Sequence, residues 1–337
     1  MNPKTNSSPD NQQWLRIVGT AGPGKGKHIV LISGDEEYRS EEALPMLAKI
    51  LAVRHGFTCT VLFAIDPDCG CIQPNIQTNI PGLEALQTAD LMVIFTRFRE
   101  LPDAQMRYID EYVKSGKPII GIRTATHAFR YPRNPQSAYA KYGCDSKDAA
   151  WPDGFGRQVL GDSWVDHHGA HGKEGTRGII NPAFAQHPVL AGVTDIFGPT
   201  DVYTIINLPP DAEVLVHGQV VVGLQPTDAP VTGTKNDPMM PLVWLRNYVG
   251  EQGKTTSVLG STIGASVDFE SAGLRRLFVN ACYWLLGLKD RITPKSSIEY
   301  VGDFQPNFYG LGKYVKGKKP ADLAGKKTPR HETEQRH

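Results

Sequence analysis

Short apolar runs alternate with longer amphipathic stretches over the first third of the chain. Four of these runs are apolar almost throughout, which is typical of parallel strands that are covered on both faces. The pattern predicts strands over residues 28–33, 58–63, 90–96 and 118–123. Each run is short and ends at polar or glycine-containing positions, as expected for strands inside a sheet rather than for buried helices.

Helical periodicity fills the intervals between these runs. Apolar residues recur on one face over residues 40–55 and 102–115, and again near the end of the chain over residues 268–286. In the first of these stretches, Pro45 predicts that regular helical hydrogen bonding starts only near that residue. Gly56 and Gly116 suit the ends of the first two helices.

The order strand, helix, strand, strand, helix, strand predicts an α/β fold with a doubly wound parallel sheet. Residues 130–178 lose this rhythm and become rich in Gly, Tyr, Pro, His and Trp, which predicts a long loop-rich insertion. Shorter strand-like runs follow and predict added β-strands. They lie at residues 201–206, 212–217, 241–249 and 255–261.

Composition divides the chain into three parts. Residues 1–27 are polar and rich in Gly and Pro, which predicts a flexible N-terminal arm. Residues 28–290 form a single α/β domain in this interpretation. Residues 291–337 predict an extended or disordered tail, and we leave open that Phe304, Phe308 and Tyr309 pack back onto the domain.

Polar residues crowd the end of the fourth predicted strand, where Arg123, Thr124, Thr126 and His127 follow an apolar run. Open α/β sheets bind their ligands outside the carboxyl ends of their strands. We therefore expect Arg123 and Thr124 to contact a substrate. His127 is the candidate general acid or base, with a hydrogen-bonded structural histidine as the alternative.

The turns after the first and third strands carry charged residues. Asp35 and Glu36 are candidate acid–base partners of His127, while Arg97 and Arg99 are candidate substrate ligands. Parallel strands end at one edge, so these turns are expected to lie close together. The structural alternatives are a capped, solvated acidic loop and an ion pair between these arginines and the acidic turn.

A histidine-rich stretch lies inside the insertion. His167, His168 and His171 are candidate substrate ligands. The four-residue spacing of His167 and His171 would place two metal ligands on one helix face, but Gly169 and Gly172 argue against a stable helix. We therefore expect no cofactor, with a divalent metal at His167 and His171 as the alternative.

Charge and composition exclude several classes of partner. The chain has 36 basic and 35 acidic side chains, a balance that favours neither nucleic acid nor an anionic membrane. The apolar runs are far shorter than the ~18 residues that span a bilayer. No secretory signal precedes the first strand, so the chain as it stands is expected to be cytoplasmic, or periplasmic or secreted if a signal was removed. Five cysteines do not suggest a disulfide framework, and a homo-oligomer is left open.

Taken together, several segments resemble the trehalose-utilisation (ThuA-like) family. They are GDEEYRSEE at residues 34–42, DLMVIFT at 90–96, PIIGIRTATHAF at 118–129, HPVLAGV at 187–193, the strand-like runs at 201–206, 212–217 and 241–249, and the stretch 259–287. The resemblance implies a flavodoxin-like sheet of the class I glutamine-amidotransferase-like kind and a role in disaccharide or keto-sugar metabolism. Amidotransferases of this fold carry a cysteine at the turn where this chain has Arg123 and Thr124, so glutamine hydrolysis is not expected.

Three functional hypotheses follow. The first is an acid–base enzyme that isomerises, epimerises or eliminates a carbohydrate in a crevice at the carboxyl end of the sheet. The second is a non-catalytic sugar-binding or scaffold protein on the same fold, because a fold does not dictate a function. The third is a metal-assisted hydrolase that uses the loop from His167 to His171.

Overall fold

A single mixed β-sheet forms the centre of the computed structural model, which describes residues 13–324. In chain order its strands are β1 (Trp14–Val18), β2 (His28–Gly34), β3 (Thr58–Phe63), β4 (Leu91–Thr96), β5 (Ile119–Ile122), β6 (Gly175–Ile180), β7 (Phe197–Gly198), β8 (Glu213–Val221), β9 (Met240–Val249) and β10 (Thr255–Ser261). In space the strands follow the order β1-β3-β2-β4-β5-β10-β9-β8-β6-β7.

The sheet has a parallel half and an antiparallel half. Strands β3, β2, β4, β5 and β10 are parallel neighbours, whereas β10, β9, β8, β6 and β7 pair antiparallel. Strand β1 adds an antiparallel edge on β3. The predicted α/β class is confirmed as a mixed sheet, and all four strands predicted up to Arg123 are present.

Helices cover both faces of the sheet. They are α1 (Ser40–Lys49), α2 (Asp103–Lys114) and α3 (Ala272–Leu285), and α1 continues into a π-helical turn, Ile50–Arg54. Apolar side chains of α1 and α3 share one core cluster with the sheet, while those of α2 belong to a second cluster on the opposite face. Pro45 lies inside α1, so the helix begins at Ser40 and not near Pro45 as the sequence predicted.

Some sheet edges differ from the sequence prediction. Trp14–Val18 lies within the stretch predicted as an arm, yet it pairs with β3 in full register. β6 and β7 were not predicted, and β6 begins inside the loop-rich insertion. Residues 201–206 form no strand, apart from one bridge between Tyr203 and His167. There the backbone carbonyl of Asp201 accepts a hydrogen bond from a side chain instead of joining a ladder.

The insertion at 130–178 packs on the sheet. Leu160 is fully buried and lies over Gly121 in β5, where a β-carbon would collide with the leucine side chain. The carbonyl of Leu160 accepts a hydrogen bond of 2.7 Å from the indole N–H of Trp244 in β9. The insertion is therefore anchored at the centre of the sheet.

The segment after α3 also packs on the domain as far as residue 324. Ile298 and Tyr309 are buried, and Phe304 packs partly against the core, whereas Phe308 is 42% exposed. Residues 291–324 thus differ from a free tail, while the predictions for residues 1–12 and 325–337 lie outside the described residues. Within residues 13–324 no helix is long and apolar enough to cross a membrane. Cys69 and Cys71 form a disulfide in the loop after β3, a pairing that the sequence did not predict.

Candidate functional site

Three turns meet at the carboxyl ends of β2, β4 and β5. The amide of Arg97 donates to the carbonyl of Gly34, and the amide of Phe98 donates to the carbonyl of His127. The side chain of Thr124 donates to Asp35. These contacts join the turns at one edge of the sheet, which is the arrangement that the sequence predicts.

Asp35 organises the turn after β2. One carboxylate oxygen accepts the amides of Glu37 and Tyr38 at 2.6 Å each, and the other accepts the Thr124 hydroxyl. The side chain is fully buried. Both oxygens of Asp35 are therefore occupied by local contacts, which is the geometry of a structural turn rather than that of an available base.

Glu36 lies between two arginines. Its carboxylate contacts Arg97 at 2.5 Å, and it also binds the buried guanidinium of Arg99. Arg99 donates in addition to the carbonyls of Pro74 and Ile76. This arrangement is the ion pair that the sequence left as the structural alternative for the acidic turn.

Arg123 is held on all sides at the end of β5. Its backbone has a φ of 45°, an uncommon left-handed conformation for a residue other than glycine. Its guanidinium is buried and donates to the carbonyl of Thr262 at 2.7 Å and to a carboxylate oxygen of Asp201 at 3.3 Å. The rings of Tyr38 and Tyr203 lie 3.9 and 4.5 Å from its central carbon. These contacts give the Arg123 side chain a structural role beneath the site instead of the role of a substrate ligand.

Asp201 gathers two histidines of the insertion. One of its oxygens lies 2.6 Å from Nδ1 of His167, and the other lies 2.9 Å from Nδ1 of His171. Asp201 is fully buried, while the His167 and His171 side chains are 31% and 37% exposed. By contrast, Nε2 of His168 donates to the carbonyl of Lys235, so His168 does not join this group.

The charge of this group is set by close contacts. Hydrogen bonds with Asp201 and Glu37 raise the pKa of His171 to about 9, against the opposing effect of burial. Burial alone would raise the pKa of Glu37, but His171 and Arg97 lower it below its ordinary value. In the metal-free protein, His171 is therefore a cation between two carboxylates at neutral pH.

His127 lies in an aromatic environment. The rings of Phe98, Trp164 and Tyr203 lie 5.0, 5.1 and 6.0 Å from its imidazole. Its Nδ1 contacts the Thr126 hydroxyl at 3.2 Å, and its Nε2 has no hydrogen-bond partner among the described residues. Burial, followed by the charges of Arg97 and Arg123, lowers the pKa of His127 well below its ordinary value. The imidazole is therefore neutral near pH 7.

The sequence identified most of the polar residues that lie at this edge of the sheet, but it missed some of them. We call the group of His127, Trp164, His167, His171 and Asp201 the histidine cluster. Trp164 and Asp201 were not predicted as site residues, and neither was Tyr309, whose ring lies 5.3 Å from that of His171. The available signal was weak: Asp201 opens a run that resembles a strand, and Trp164 stands three residues before His167.

A cavity of about 250 Å³ lies elsewhere, between α1 and the segment after α3. Side chains such as Met46, Phe304 and Lys49 line it, and no histidine does. Its lining includes titratable side chains such as Glu41 and Lys49, but none of the residues that the sequence predicted for the site. We therefore place the candidate site at the histidine cluster.

Comparisons with known proteins give only distant structural matches. No family model matches the chain, and no curated protein matches it. The chain is similar to solved structures of two proteins named as ThuA-like. The one from Parabacteroides merdae is 15% identical with a TM-score of 0.49, covering 84% of this chain and 100% of that one. The one from Bacteroides uniformis is 14% identical with a TM-score of 0.48, covering 82% and 98%.

A cytoplasmic protein of Salmonella typhimurium is a further structural match. It is 14% identical with a TM-score of 0.40, and the match covers 79% of this chain and 99% of that one. The name ThuA-like, carried by the first two structures, is that of the family which the sequence segments resemble. At these identities and TM-scores the likeness carries no conclusion about the activity of this chain.

Proposed function

We propose that this chain binds a carbohydrate, a disaccharide or keto-sugar, at the histidine cluster and moves a proton beside its carbonyl group. The observation that carries the proposal is the placement of Trp164 between His127 and His167, at ring distances of 5.1 and 5.7 Å. Ligand sites commonly combine aromatic walls with a few placed polar groups. A sugar ring has an apolar face for the indole and hydroxyl groups for the imidazoles.

His127 is the proposed general base. A neutral imidazole with a free nitrogen can accept a proton from the carbon next to a carbonyl, and the lowered pKa keeps it neutral. The carbonyl oxygen then takes the negative charge as an enediolate. Return of the proton to the former carbonyl carbon, while the hydroxyl proton passes to the former carbonyl oxygen, completes an isomerisation. Return to the original carbon on its opposite face completes an epimerisation, and neither step needs another reactant.

The other residues take supporting roles in this proposal. Of the three arginines Arg97, Arg99 and Arg123, only Arg97 has a partly exposed side chain, at 22%. Arg97 is therefore the proposed ligand for the enediolate oxygen. Arg99, Arg123 and Thr124 position the turns, because their side chains are already engaged by the carboxylates of Glu36, Asp201 and Asp35, respectively. Asp35 and Glu36 are no longer proposed as acid or base, because turn contacts and arginines occupy their oxygens.

We further infer that the parallel half of the sheet is of the flavodoxin-like, class I glutamine-amidotransferase-like kind. Its five strands, numbered along the chain, stand in the spatial order 2-1-3-4-5, which is the flavodoxin-like order. Arg123 stands at the turn after the fourth of these strands. A guanidinium is no nucleophile, which supports the absence of glutaminase activity.

The test is a panel of keto-sugars and disaccharides, screened for binding by calorimetry and for solvent deuterium uptake by NMR. We expect one sugar to bind and to exchange the proton beside its carbonyl. His127→Ala should lower the exchange rate by about 10²–10⁴-fold, the usual contribution of a general base. His168→Ala is the matched control and should leave the rate unchanged, because its ring faces Lys235.

Three outcomes would each contradict a part of this proposal. Binding without exchange over long incubation would favour a non-catalytic sugar-binding protein. Failure of every sugar to bind would remove the carbohydrate function altogether. An exchange rate that His127→Ala leaves unchanged would remove the assignment of that residue as the base.

A further inference from the structure

Three side chains of the histidine cluster offer metal-ligand atoms close together. Nitrogens of His167 and His171 and an oxygen of Asp201 all lie within 4.8 Å of one another. The sequence suggested the two histidines alone, on a helix that does not form. The structure adds a buried carboxylate from a distant part of the chain, which turns two histidines in a loop into a three-ligand set.

We propose that His167, His171 and Asp201 bind one divalent transition-metal ion, of which Zn²⁺ is the probe we choose. Two histidines and a carboxylate are the protein ligands of known catalytic zinc sites and of non-haem iron sites. Such sites leave a position open for water or substrate. The partial exposure of both imidazoles leaves access to the ion from solvent.

The spacing of the ligand atoms fits an ion after a small adjustment. In the metal-free geometry the two imidazole nitrogens lie 2.6 and 2.9 Å from the oxygens of Asp201. Bonds of about 2.1 Å in a tetrahedral site separate neighbouring ligand atoms by about 3.4 Å. Each nitrogen must therefore move away from its own Asp201 oxygen by less than about 1 Å, and the ligand atoms of the three residues already lie within 4.8 Å of one another. Gly169 and Gly172 lie between and beside the histidines and allow their loop to move.

Residues around the three ligands already hold them in the required orientation. Glu37 contacts Nε2 of His171 at 3.3 Å, so that Nδ1 faces Asp201. Metal-bound histidines commonly direct their other nitrogen to a carboxylate in this way. Arg123 holds one oxygen of Asp201 and fixes the carboxylate in place. Its positive charge opposes the ion, while Glu37 supplies a compensating negative charge.

This inference concerns the same cluster as the proposed function but does not depend on it, because metal binding is measured without any sugar. When bound, such an ion supplies a Lewis acid that polarises a carbonyl or activates water. Metal binding with no sugar turnover would keep this inference and remove the function. Sugar turnover in chelator-treated protein that binds no zinc would keep the proposed function and remove the metal site.

The test is a zinc titration of the full chain, purified without an affinity tag and stripped with a chelator. We expect a single ion per chain by calorimetry and by elemental analysis after desalting. His167→Ala and His171→Ala should each abolish retention of the ion through desalting. Glu37→Gln should weaken affinity by about 10–100-fold, the usual effect of removing a carboxylate that orients a ligand.

His168→Ala is the control, since it removes a neighbouring imidazole that lies outside the ligand set. It should bind zinc like the parent chain. Asp201→Asn is a useful third variant only if circular dichroism shows native structure, because Asp201 also balances Arg123. X-ray absorption of the zinc complex should show two imidazoles and an oxygen ligand. Failure to retain zinc, or retention that is equal in all variants, would overturn the proposal.

Discussion

Arg123 shows how far a residue's role depends on its surroundings. From the sequence it is a candidate substrate ligand at the end of a strand. In the structure its side chain is fully buried, held between two tyrosine rings and bonded to Asp201. A buried charge without its partner costs far more than an exposed one. Arg123 and Asp201 are therefore expected to depend on each other for stability.

Replacing Arg123 with Met should lower the free energy of unfolding by about 3 kcal/mol, the lower end of the usual cost of breaking a buried ion pair. Asp201 loses its fully buried partner and keeps only the partly exposed His167 and His171. Denaturant unfolding in chelator measures the change. Arg130→Met is the matched control, since the pair of Arg130 with Asp145 is 52% and 54% exposed. An exposed pair contributes about 0–1 kcal/mol. Equal losses in the two variants would contradict the structural role of Arg123.

At the scale of elements, the sequence predicted what local periodicity encodes. The strands β2 to β5 and the helices α1 and α2 were found within a few residues, because fully buried strands and one-sided helices leave clear apolar patterns. The run at 201–206 was predicted as a strand and is not one, since Asp201 serves Arg123 and the histidines. Asp201 could not be assigned to the site, because its histidine partners lie 30 and 34 positions away along the chain.

His55 joins three elements at the end of α1. Its Nδ1 contacts the Tyr283 hydroxyl of α3 at 2.9 Å, and its Nε2 donates to the carbonyl of Ser297 at 2.7 Å. Burial lowers the pKa of His55 below its ordinary value, although the bond to Ser297 opposes this effect. Folding thus favours the neutral ring. The stability that depends on this residue is complete above pH 6.5 and is lost as the pH falls below it.

The stability of the parent chain should therefore fall as the pH drops below about 6.5, and His55→Gln should show a shallower decline. Denaturant unfolding at several pH values gives the two slopes. Tyr283→Phe is the control, because it removes a hydrogen bond of His55 but leaves the imidazole to titrate. A slope that is the same in the parent and in His55→Gln would show that His55 does not contribute.

At the scale of the whole molecule, the two halves of the sheet share one core. The larger apolar cluster contains residues of β2 and α1 from the parallel half together with residues of β8 and β9 from the antiparallel half. Trp244 of β9 fills the space above Gly260 in β10, where a β-carbon would strike the indole. A substitution that destabilises one half of the sheet is therefore expected to destabilise the other half as well.

Trp244→Ala should lower the free energy of unfolding by about 3–5 kcal/mol, the usual cost of removing a buried aromatic side chain. Hydrogen exchange should then speed up in β2 as well as in β9. Val249→Ala is the control, because Val249 lies on the same strand but is 57% exposed. It should change the free energy of unfolding by less than about 0.5 kcal/mol. Faster exchange confined to β8 and β9 would show that the halves unfold independently.

The strained turn after β5 has a practical consequence for anyone looking for ligands. In this position a thiol or an activated hydroxyl would react with electrophilic inhibitors and activity-based probes. Arg123 presents a guanidinium that is already engaged by Thr262 and Asp201, and the Thr124 hydroxyl is engaged by Asp35. A screen of covalent inhibitors would find no reactive group at this turn. Ligands should instead be identified by reversible binding, for instance by a shift in the melting temperature.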